Sequence, residues 1–375
     1  MSSQDAAITA AATLEQALAR HDTWSDGSDL PRVGIFGNGV PETLIAAAGA
    51  LPVHLSFGMT TGAHDISSVI EPFVDEEVRH FLVRLASGAF ADYRGIVFAR
   101  DDAPALIAYQ YASEWVRQHP AKGVTPPLFL WNLVHSDSAA VRRFNDIQAG
   151  KLFAFLAGQG LRHPLPEDIA AAASDEIQRI GMLREMQGEV PSTISGTEAW
   201  IWRNAGRFMP AAVHARLLGQ ALGGERAPRK MGRRIGLVGS PLACPDVLAM
   251  LERHGSVVCD QQGFGAVWPC TGNAHARLDD MLRAFAADPS CPRVTPARAY
   301  RDNIVRALLD ADCDLVVCQL AQTDDTFGWE IPALSATLAA RGITFVNLGF
   351  RDMRPGEAWL AEAQARLAQA LEARP

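Results

Sequence analysis

The feature that most constrains the fold of this chain is a strand–turn–helix pattern that occurs twice. RVGIFGN at residues 32–38 and RIGLVGS at residues 234–240 share their Arg and both Gly positions, and PETL and PDVL follow shortly afterwards. GIVFARDDAPAL, from residue 95, and DLVVCQLAQTDDTFGWEIPAL, from residue 314, match each other in the same order. Two interpretations stay open: a duplicated α/β lobe, or convergence of two generic strand–turn–helix segments.

Short apolar segments alternate with helical patterns in both copies. Strands are predicted at residues 33–36, 53–55, 95–99 and 128–133, and in the second copy at RIGLVGS and residues 256–259, 315–318 and 344–348. Apolar strands separated by helices are typical of parallel sheets that are covered on both faces. The sequence therefore predicts an α/β fold with two similar parallel-sheet lobes of the flavodoxin or Rossmann type.

A region without strand signals separates the two copies and reads as a series of helices. The predicted division is an N-terminal helix at 1–24, a first α/β lobe at 25–135, a helical segment and joint at 136–230, and a second α/β lobe at 231–375. Ile8, Leu14 and Leu18 form the expected apolar stripe of the N-terminal helix.

Composition excludes several classes of protein. The 375 residues carry a net charge of −8 and no cluster of Lys and Arg, so we expect no nucleic-acid partner. No uninterrupted apolar run reaches the length of a membrane span, and the N-terminus lacks a secretory signal, so the cytoplasm is the expected location. All six cysteines follow residue 243 without zinc-site spacing, which predicts reduced, packed thiols.

The Gly37-Asn38-Gly39 turn follows the first predicted strand, at the edge where ligands of open α/β sheets bind. Its G-x-x-G-x-G spacing matches neither nucleotide-binding motif, and Glu42, which complements the dipole of the following helix, would repel a pyrophosphate. We expect a structural turn that borders a ligand cleft, with phosphate contact as a secondary role. The predicted cofactor-binding residues are Gly37, Asn38, Gly39, Glu42, Gly239 and Ser240.

Two acidic pairs follow matched strands and are expected at the same cleft. They are the predicted catalytic residues Asp101, Asp102, Asp324 and Asp325. Such carboxylates serve as general acids and bases or bind a hard cation, but the same pattern is typical of helix N-caps, which is the simpler interpretation. His54 and His135, each at a strand end, are further candidates for the cleft.

PETLIAAAGALPVHLS, at residues 41–56, resembles the P-x-E-L-I-x-A-A-G-x-x-P-V signature of the 2-hydroxyacyl-CoA dehydratase and benzoyl-CoA reductase subunit family. The resemblance continues in order through GIVFARDD, the helical region, RIGLVGS and the last strands. It implies two α/β lobes, a related subunit in a dimer, and a [4Fe-4S] cluster held by cysteines between the lobes. An ATP-dependent activator supplies one electron, which the cluster passes to an acyl-CoA thioester to form a ketyl radical.

The chain departs from that family where the cluster cysteines are expected. Residues other than cysteine stand at the three positions: Val74, Asp75 and Glu76 at the first, Arg100, Asp101 and Asp102 at the second, and Thr323 and Asp324 at the third. Iron–sulfur clusters require thiolates, which carboxylate and hydroxyl groups replace poorly. The sequence therefore predicts a relative that lacks a cluster of its own.

Three functional hypotheses remain from the sequence. The first is a dehydratase- or reductase-type subunit that binds an acyl-CoA or related thioester between the lobes and acts beside a homologous subunit, as a hetero- or homodimer. The second is a non-catalytic protein that binds a small ligand or regulates a partner. The third is a lyase whose aspartate pairs bind a divalent cation.

Overall fold

The computed structural model describes residues 2–25, 27–60, 62, 64–100, 103–120, 125–263, 265 and 271–372. The chain begins with α1 (Ser3–Ala19), whose N-terminus is capped by a reciprocal pair of hydrogen bonds between Ser2 and Asp5. Its buried face consists of Ala7, Ala10, Leu14 and Ala17. Ile8, which was predicted to lie on that face, is 61% exposed, because the small alanines allow close packing against other helices.

The first lobe is a four-stranded parallel sheet of order β2-β1-β3-β4. Its strands are β1 (Arg32–Phe36), β2 (Leu51–His54), β3 (Gly95–Phe98) and β4 (Leu128–Leu130), and its helices are α2 (Glu42–Ala47), α3 (Glu76–Ala86) and α4 (Ala103–Gln118). β1 and β3 are almost entirely buried, as expected of central strands that are covered on both faces. A short 3₁₀ helix, Asp65–Ser68, precedes α3.

The helical segment follows and joins the two lobes. It contains α5 (Ala139–Gly158), α6 (Pro166–Glu189), α7 (Gly196–Ala205) and α8 (Ala211–Leu222), with a 3₁₀ turn at Gly206–Phe208. α1 packs on α7 and α8, while α6 packs on α2 of the first lobe. The N-terminal helix therefore shares an apolar core with the helical segment.

The second lobe repeats the first with the sheet order β6-β5-β7-β8, again entirely parallel. Its strands are β5 (Arg234–Gly239), β6 (Ser256–Asp260), β7 (Leu315–Ala321) and β8 (Thr344–Arg351). Its helices are α9 (Asp246–Leu251), α10 (Leu278–Ala287), α11 (Arg298–Asp310), α12 (Asp325–Gly328), α13 (Ile331–Ala339) and α14 (Glu357–Glu372). The predicted fold class, two parallel-sheet α/β lobes, is confirmed.

Three strands end at residues other than those predicted from the sequence. β7 and β8 continue to Ala321 and Arg351, beyond the predicted ends at residues 318 and 348. β4 is shorter and stops at Leu130. Within the described residues, no helix combines the length and the apolar character needed to cross a bilayer.

Candidate functional site

A cavity of about 440 Å³ lies between the carboxyl ends of the two sheets. The segments that follow six of the strands contribute to its wall: residues 37–39, 103–104, 239–241, 261–263, 321–324 and 351–353. The two lobes thus face each other with the edges at which open α/β sheets bind ligands. Five of the six predicted cofactor-binding residues, all except Glu42, lie in this wall.

The turns after β1 and β5 share a glycine with a positive φ angle. Gly37 and Gly239 occupy equivalent places and have φ angles of +94° and +115°, a region that side chains rarely enter. Beside them, the amide oxygen of Asn38 accepts a hydrogen bond of 3.2 Å from Nη1 of Arg207 in the helical segment. The turn of the first lobe is therefore held by a residue far along the chain.

The turn of the second lobe is held by its own sheet. The Ser240 hydroxyl donates to Oδ2 of Asp324 at 2.6 Å and accepts from the Ala321 backbone N–H at 2.7 Å. The backbone oxygen of Ser240 accepts from Nε2 of Gln319 at 2.5 Å and from Nη2 of Arg351 at 3.2 Å. Burial lowers the pKa of the Arg351 guanidinium to about 10, so the group stays charged near neutral pH.

Glu42 lies away from the cavity, in a buried charge network that joins the first lobe to the helical segment. Its carboxylate accepts from Nε2 of His54 at 3.0 Å and from Nη2 of Arg179 at 3.2 Å. Arg179 also pairs with Glu176. Burial opposes ionisation of Glu42, but the hydrogen bond from His54 and the charges of Arg179 and Arg207 hold its pKa far below the ordinary value. Burial, and then the neighbouring charge of Arg207, lower the pKa of His54 to about 4.

The predicted catalytic aspartates are described only in part. Asp101 and Asp102 lie outside the described residues, as does the side chain of Asp325. Asp324 lines the cavity, and its Oδ1 accepts the Phe327 backbone N–H at 2.9 Å, which is an N-cap bond for α12. With Oδ2 bonded to Ser240, both oxygens of Asp324 have donors.

Two of the positions expected to carry cluster cysteines meet across the cavity. Asp75, before α3, accepts a hydrogen bond from the hydroxyl of Thr323, after β7. Next to them, Oε2 of Glu76 accepts the Met353 backbone N–H at 2.6 Å. The residues at the first and third expected cysteine positions, Asp75 and Thr323, thus join the two lobes through a hydrogen bond between oxygen atoms.

Glu77 is a cavity residue that the sequence interpretation missed. Burial, together with the nearby charge of Asp75, raises the pKa of the Glu77 carboxyl to about 7. A carboxyl group with a pKa near neutrality can both give and take a proton, as a general acid or base requires. In the sequence, Glu77 resembles an ordinary acid in the first turn of a helix, and no local signal distinguishes it.

His135, a predicted cleft residue, lines the cavity together with Cys291 from the second lobe. Its Nδ1 contacts the Phe285 backbone oxygen at 3.1 Å, and its Nε2 lies 3.6 Å from the Cys291 sulfur. His54, the other predicted histidine, belongs instead to the Glu42 network.

The donor atoms at the described part of the cavity are mostly oxygens. No group of three His, Cys, Asp or Glu side chains among the described residues converges as metal ligands do. The five described cysteines are not in disulfides, and of these Cys291 lines the cavity, while Cys270 lies outside the described residues. A [4Fe-4S] cluster needs several thiolates, and this donor set does not fit one.

Comparison with known protein families gives a match over most of the chain. A search of curated proteins found no relative of the chain. The family model described as 2-hydroxyglutaryl-CoA dehydratase, D-component, matches residues 38–368, which run from the turn after β1 into α14. The match covers both sheet edges that form the cavity and the helical segment between them. The chain therefore belongs to the 2-hydroxyglutaryl-CoA dehydratase D-component family.

Proposed function

We propose that this chain is a subunit of a 2-hydroxyacyl-CoA dehydratase-type enzyme that binds an acyl-CoA or a related thioester in the interlobe cavity. It holds no [4Fe-4S] cluster of its own and acts beside a homologous subunit that carries one. Family membership supports the class of reaction. The volume and the lining of the cavity support the thioester site, and the residues at the expected cysteine positions support the absence of a cluster.

The cavity suits the acyl part of a thioester. Its volume of about 440 Å³ lies in the range of small-molecule sites. Apolar side chains such as Val74, Phe285, Phe327 and Met353 stand in its wall beside polar groups, a mixture that is typical of sites for partly apolar ligands. The turns after β1 and β5 add backbone groups at the sheet edges.

The contact between Asp75 and Thr323 carries the proposal that the cluster is absent. Both residues stand where the family resemblance implies cysteines, and each already has a partner in the other. Neither a carboxylate nor a hydroxyl is a suitable ligand for an iron–sulfur cluster. The contact joins the two lobes directly at two of the positions where the resemblance implies cluster ligands.

Within this proposal, Glu77 transfers protons at the bound ligand. Both oxygens of Asp324 are engaged in hydrogen bonds that shape the cavity, whereas Glu77 has a pKa of about 7. Asp324 is thus assigned to support the wall. Asp101, Asp102 and Asp325 stay proposed as further acids at the same sheet edges.

Ligand binding is tested by calorimetry with butyryl-CoA and with free CoA. Ala103→Trp places a large ring in the cavity wall at the first residue of α4, and Ala139→Trp makes the same change at the first residue of α5. We expect Ala103→Trp to weaken butyryl-CoA binding at least tenfold and Ala139→Trp to leave it unchanged. Equal affinities in both variants would place the ligand outside the cavity.

The absence of the cluster is tested separately. The anaerobically purified chain is analysed for iron and acid-labile sulfide, with a cluster-bearing family member as the positive control. We expect neither element in stoichiometric amounts. Stoichiometric iron and sulfide in the chain would overturn this part of the proposal and leave the thioester site standing.

A second candidate function is a binding or regulatory protein without chemistry. The bonds made by Asp75 and Asp324 favour it, because the Asp75 carboxylate joins the two lobes and the Asp324 carboxylate holds the turn after β5 and the start of α12. The chain would then show a thermal shift with CoA thioesters but no turnover with a reductant and a cluster-bearing partner. Turnover that requires this chain and is lost in Glu77→Gln would exclude this candidate.

A further inference from the structure

A cysteine and a histidine from different lobes meet in the wall of the cavity. His135 follows β4 in the first lobe, and Cys291 lies between α10 and α11 in the second. The cysteine sulfur is 3.6 Å from Nε2 of the histidine, and both residues line the cavity. A thiol within hydrogen-bond reach of an imidazole is the basic arrangement of a cysteine nucleophile and its base.

The imidazole is fixed in the orientation that this role requires. Because the Phe285 backbone oxygen can only accept a hydrogen bond, Nδ1 of His135 carries the proton and donates to it at 3.1 Å. Nε2 therefore presents its lone pair to the Cys291 thiol. The Thr295 backbone N–H donates to the His135 backbone oxygen at 3.1 Å, which also fixes the main chain.

The surroundings of His135 allow it to take up a proton during a reaction. Burial lowers its pKa, so the ring is neutral near neutral pH, while the nearby carboxylate of Asp288 favours the imidazolium and Arg293 opposes it. The Asp288 carboxylate is itself held by the backbone N–H and hydroxyl of Ser290, at 2.9 and 2.6 Å. A third group that stabilises the charged base completes the pattern of activated nucleophiles.

Cys291 differs from the other described cysteines in its access to the cavity. Cys244, Cys259, Cys313 and Cys318 are buried, whereas Cys291 is partly exposed. Burial raises the pKa of Cys244 to about 11 and that of Cys318 to about 12, so these thiols stay protonated. Of the five, Cys291 alone combines exposure to the cavity with a neighbouring base.

We propose that Cys291 is a nucleophile that accepts the acyl group of a thioester bound in the cavity, with His135 as its general base. His135 Nε2 takes the thiol proton as the sulfur attacks the thioester carbonyl carbon. The bond between that carbon and the CoA sulfur then breaks, and the imidazolium returns the proton to the departing CoA thiolate. The products are acyl-Cys291 and free CoA, without oxidation or reduction.

This inference rests on the proposed thioester site, so the experiment measures binding and transfer separately. The full chain, with Cys270→Ser to remove the undescribed thiol, is incubated with butyryl-CoA and mapped by peptide mass spectrometry. We expect one butyryl group on the peptide that contains Cys291 and none in Cys291→Ala. Butyryl groups spread over several cysteines, or absent from Cys291 while the ligand binds, would overturn the inference.

The role of His135 is tested with a variant that preserves its structural contact. His135→Asn keeps an amide N–H that can donate to Phe285 O but removes the base, and the exposed His163→Asn is the matched control. We expect acylation of Cys291 to slow by about a hundredfold or more in His135→Asn, the lower end of general-base effects. The carbamidomethylation rate of Cys291 by iodoacetamide should fall in the same variant, and unchanged rates in both assays would exclude His135 as the base.

The two proposals fail in different ways. Binding without chemistry is measured with a butyl-CoA thioether, which lacks the carbonyl group. If the thioether binds but Cys291 is not acylated by butyryl-CoA, the nucleophile is excluded and the thioester site stands. If the thioether does not bind, the thioester site is excluded, and S-butyryl-N-acetylcysteamine then decides the nucleophile: acylation of Cys291 supports it and no acylation overturns it.

Discussion

The turns after β1 and β5 stand at equivalent places in the two lobes, yet they are held in place by different parts of the molecule. Gly37 and Gly239 both have positive φ angles, and each is followed by a polar residue in the cavity wall. Asn38 depends on Arg207 from the helical segment, whereas Ser240 depends on β7, β8 and Asp324 of its own lobe. The turn after β1 is therefore held by the helical segment, and the turn after β5 is held by residues of its own lobe.

The acids at the start of the matched helices show the same contrast. Glu42 in PETL is 4% exposed and paired with His54 and Arg179. Asp246, its counterpart in PDVL, is exposed and accepts a hydrogen bond from the Cys244 thiol at 3.1 Å. The acid of the same motif thus lies in a buried charge network in one lobe and at the surface in the other.

The largest difference between the lobes in unfolding free energy is expected when Glu42→Ala is compared with Asp246→Ala. Removal of Glu42 leaves the buried His54 and Arg179 without their shared carboxylate, which costs about 4 kcal/mol of unfolding free energy. Asp246→Ala should cost less than about 1 kcal/mol, as for an exposed acid in the first turn of a helix. Urea unfolding measures both values, and equal losses would contradict the contrast between the lobes.

The next effect concerns the matched glycines. A Cβ atom at Gly239 would lie 1.9 Å from the Gln319 backbone oxygen, in addition to the strain of a φ angle of +115°. Strain at positive φ costs about 1–2 kcal/mol at either glycine, and we expect the close approach to raise the cost of Gly239→Ala to about 3 kcal/mol of unfolding free energy. Urea unfolding with a circular-dichroism signal compares the two variants. A larger loss for Gly37→Ala would show that the first turn is the more crowded.

The sequence predicted the strands where a strand is a continuous apolar run, and failed where buried polar residues extend it. β7 and β8 pair past their predicted ends, at Leu320 with Phe350 and at Ala321 with Arg351, and the buried side chains of Gln319 and Arg351 hydrogen-bond to each other there. A pattern of apolar residues cannot reveal such a pair, because the two polar partners lie on different strands and meet only when β7 and β8 pair. The parallel topology, in contrast, follows from the alternation of strands and helices alone.

The candidate site divides in a similar way. Its position at the sheet edges could be predicted, because the residues that follow parallel strands meet at one edge. The partners could not be predicted: Glu42 meets Arg179 from α6, and His135 meets Cys291 from the other lobe. These contacts join residues that are far apart in sequence, and only the packing of the lobes and the helical segment brings them together.

The unfolding free energy is also expected to depend on pH through residues at two equivalent positions on the outer strands. His54 pairs with Ile35 on β1, and Asp260 pairs with the matching Leu237 on β5. Burial, with the charge of Arg207, lowers the pKa of His54 from 6.5 to about 4, and burial raises the pKa of Asp260 from 3.8 to about 6. The two shifts act on stability with opposite signs.

Between pH 6.5 and 4 the unfolded chain binds a proton at His54 that the folded chain does not, so unfolding free energy falls as the pH falls. Between pH 3.8 and 6 the folded chain keeps a proton on Asp260, so unfolding free energy falls as the pH rises. Each contribution is on the order of 3 kcal/mol. Urea unfolding across this range should show the first slope lost in His54→Gln and the second lost in Asp260→Asn; slopes of one sign at both positions would contradict the assignment.

The smallest expected effect tests how firmly the lobes are joined across the cavity. Thr323→Val removes the hydroxyl that donates to Asp75, and Asp75→Asn keeps an acceptor but removes the charge. Because the amide oxygen in the Asp75→Asn variant can still accept the bond, the double-mutant cycle measures the part of the coupling that depends on the charge, and we expect about 1 kcal/mol in unfolding free energy. The pair Ser240→Ala and Asp324→Asn provides the control within the second lobe, because this bond does not cross the cavity.

The two cycles should respond differently to a ligand. If a thioester binds between the lobes, a saturating butyl-CoA thioether will change the coupling of Asp75 with Thr323, whose atoms span the two lobes at the cavity wall. The coupling of Ser240 with Asp324 lies within one lobe and should stay constant. Equal changes in both cycles would mean that the ligand acts on the second lobe as a whole rather than on the contact between the lobes.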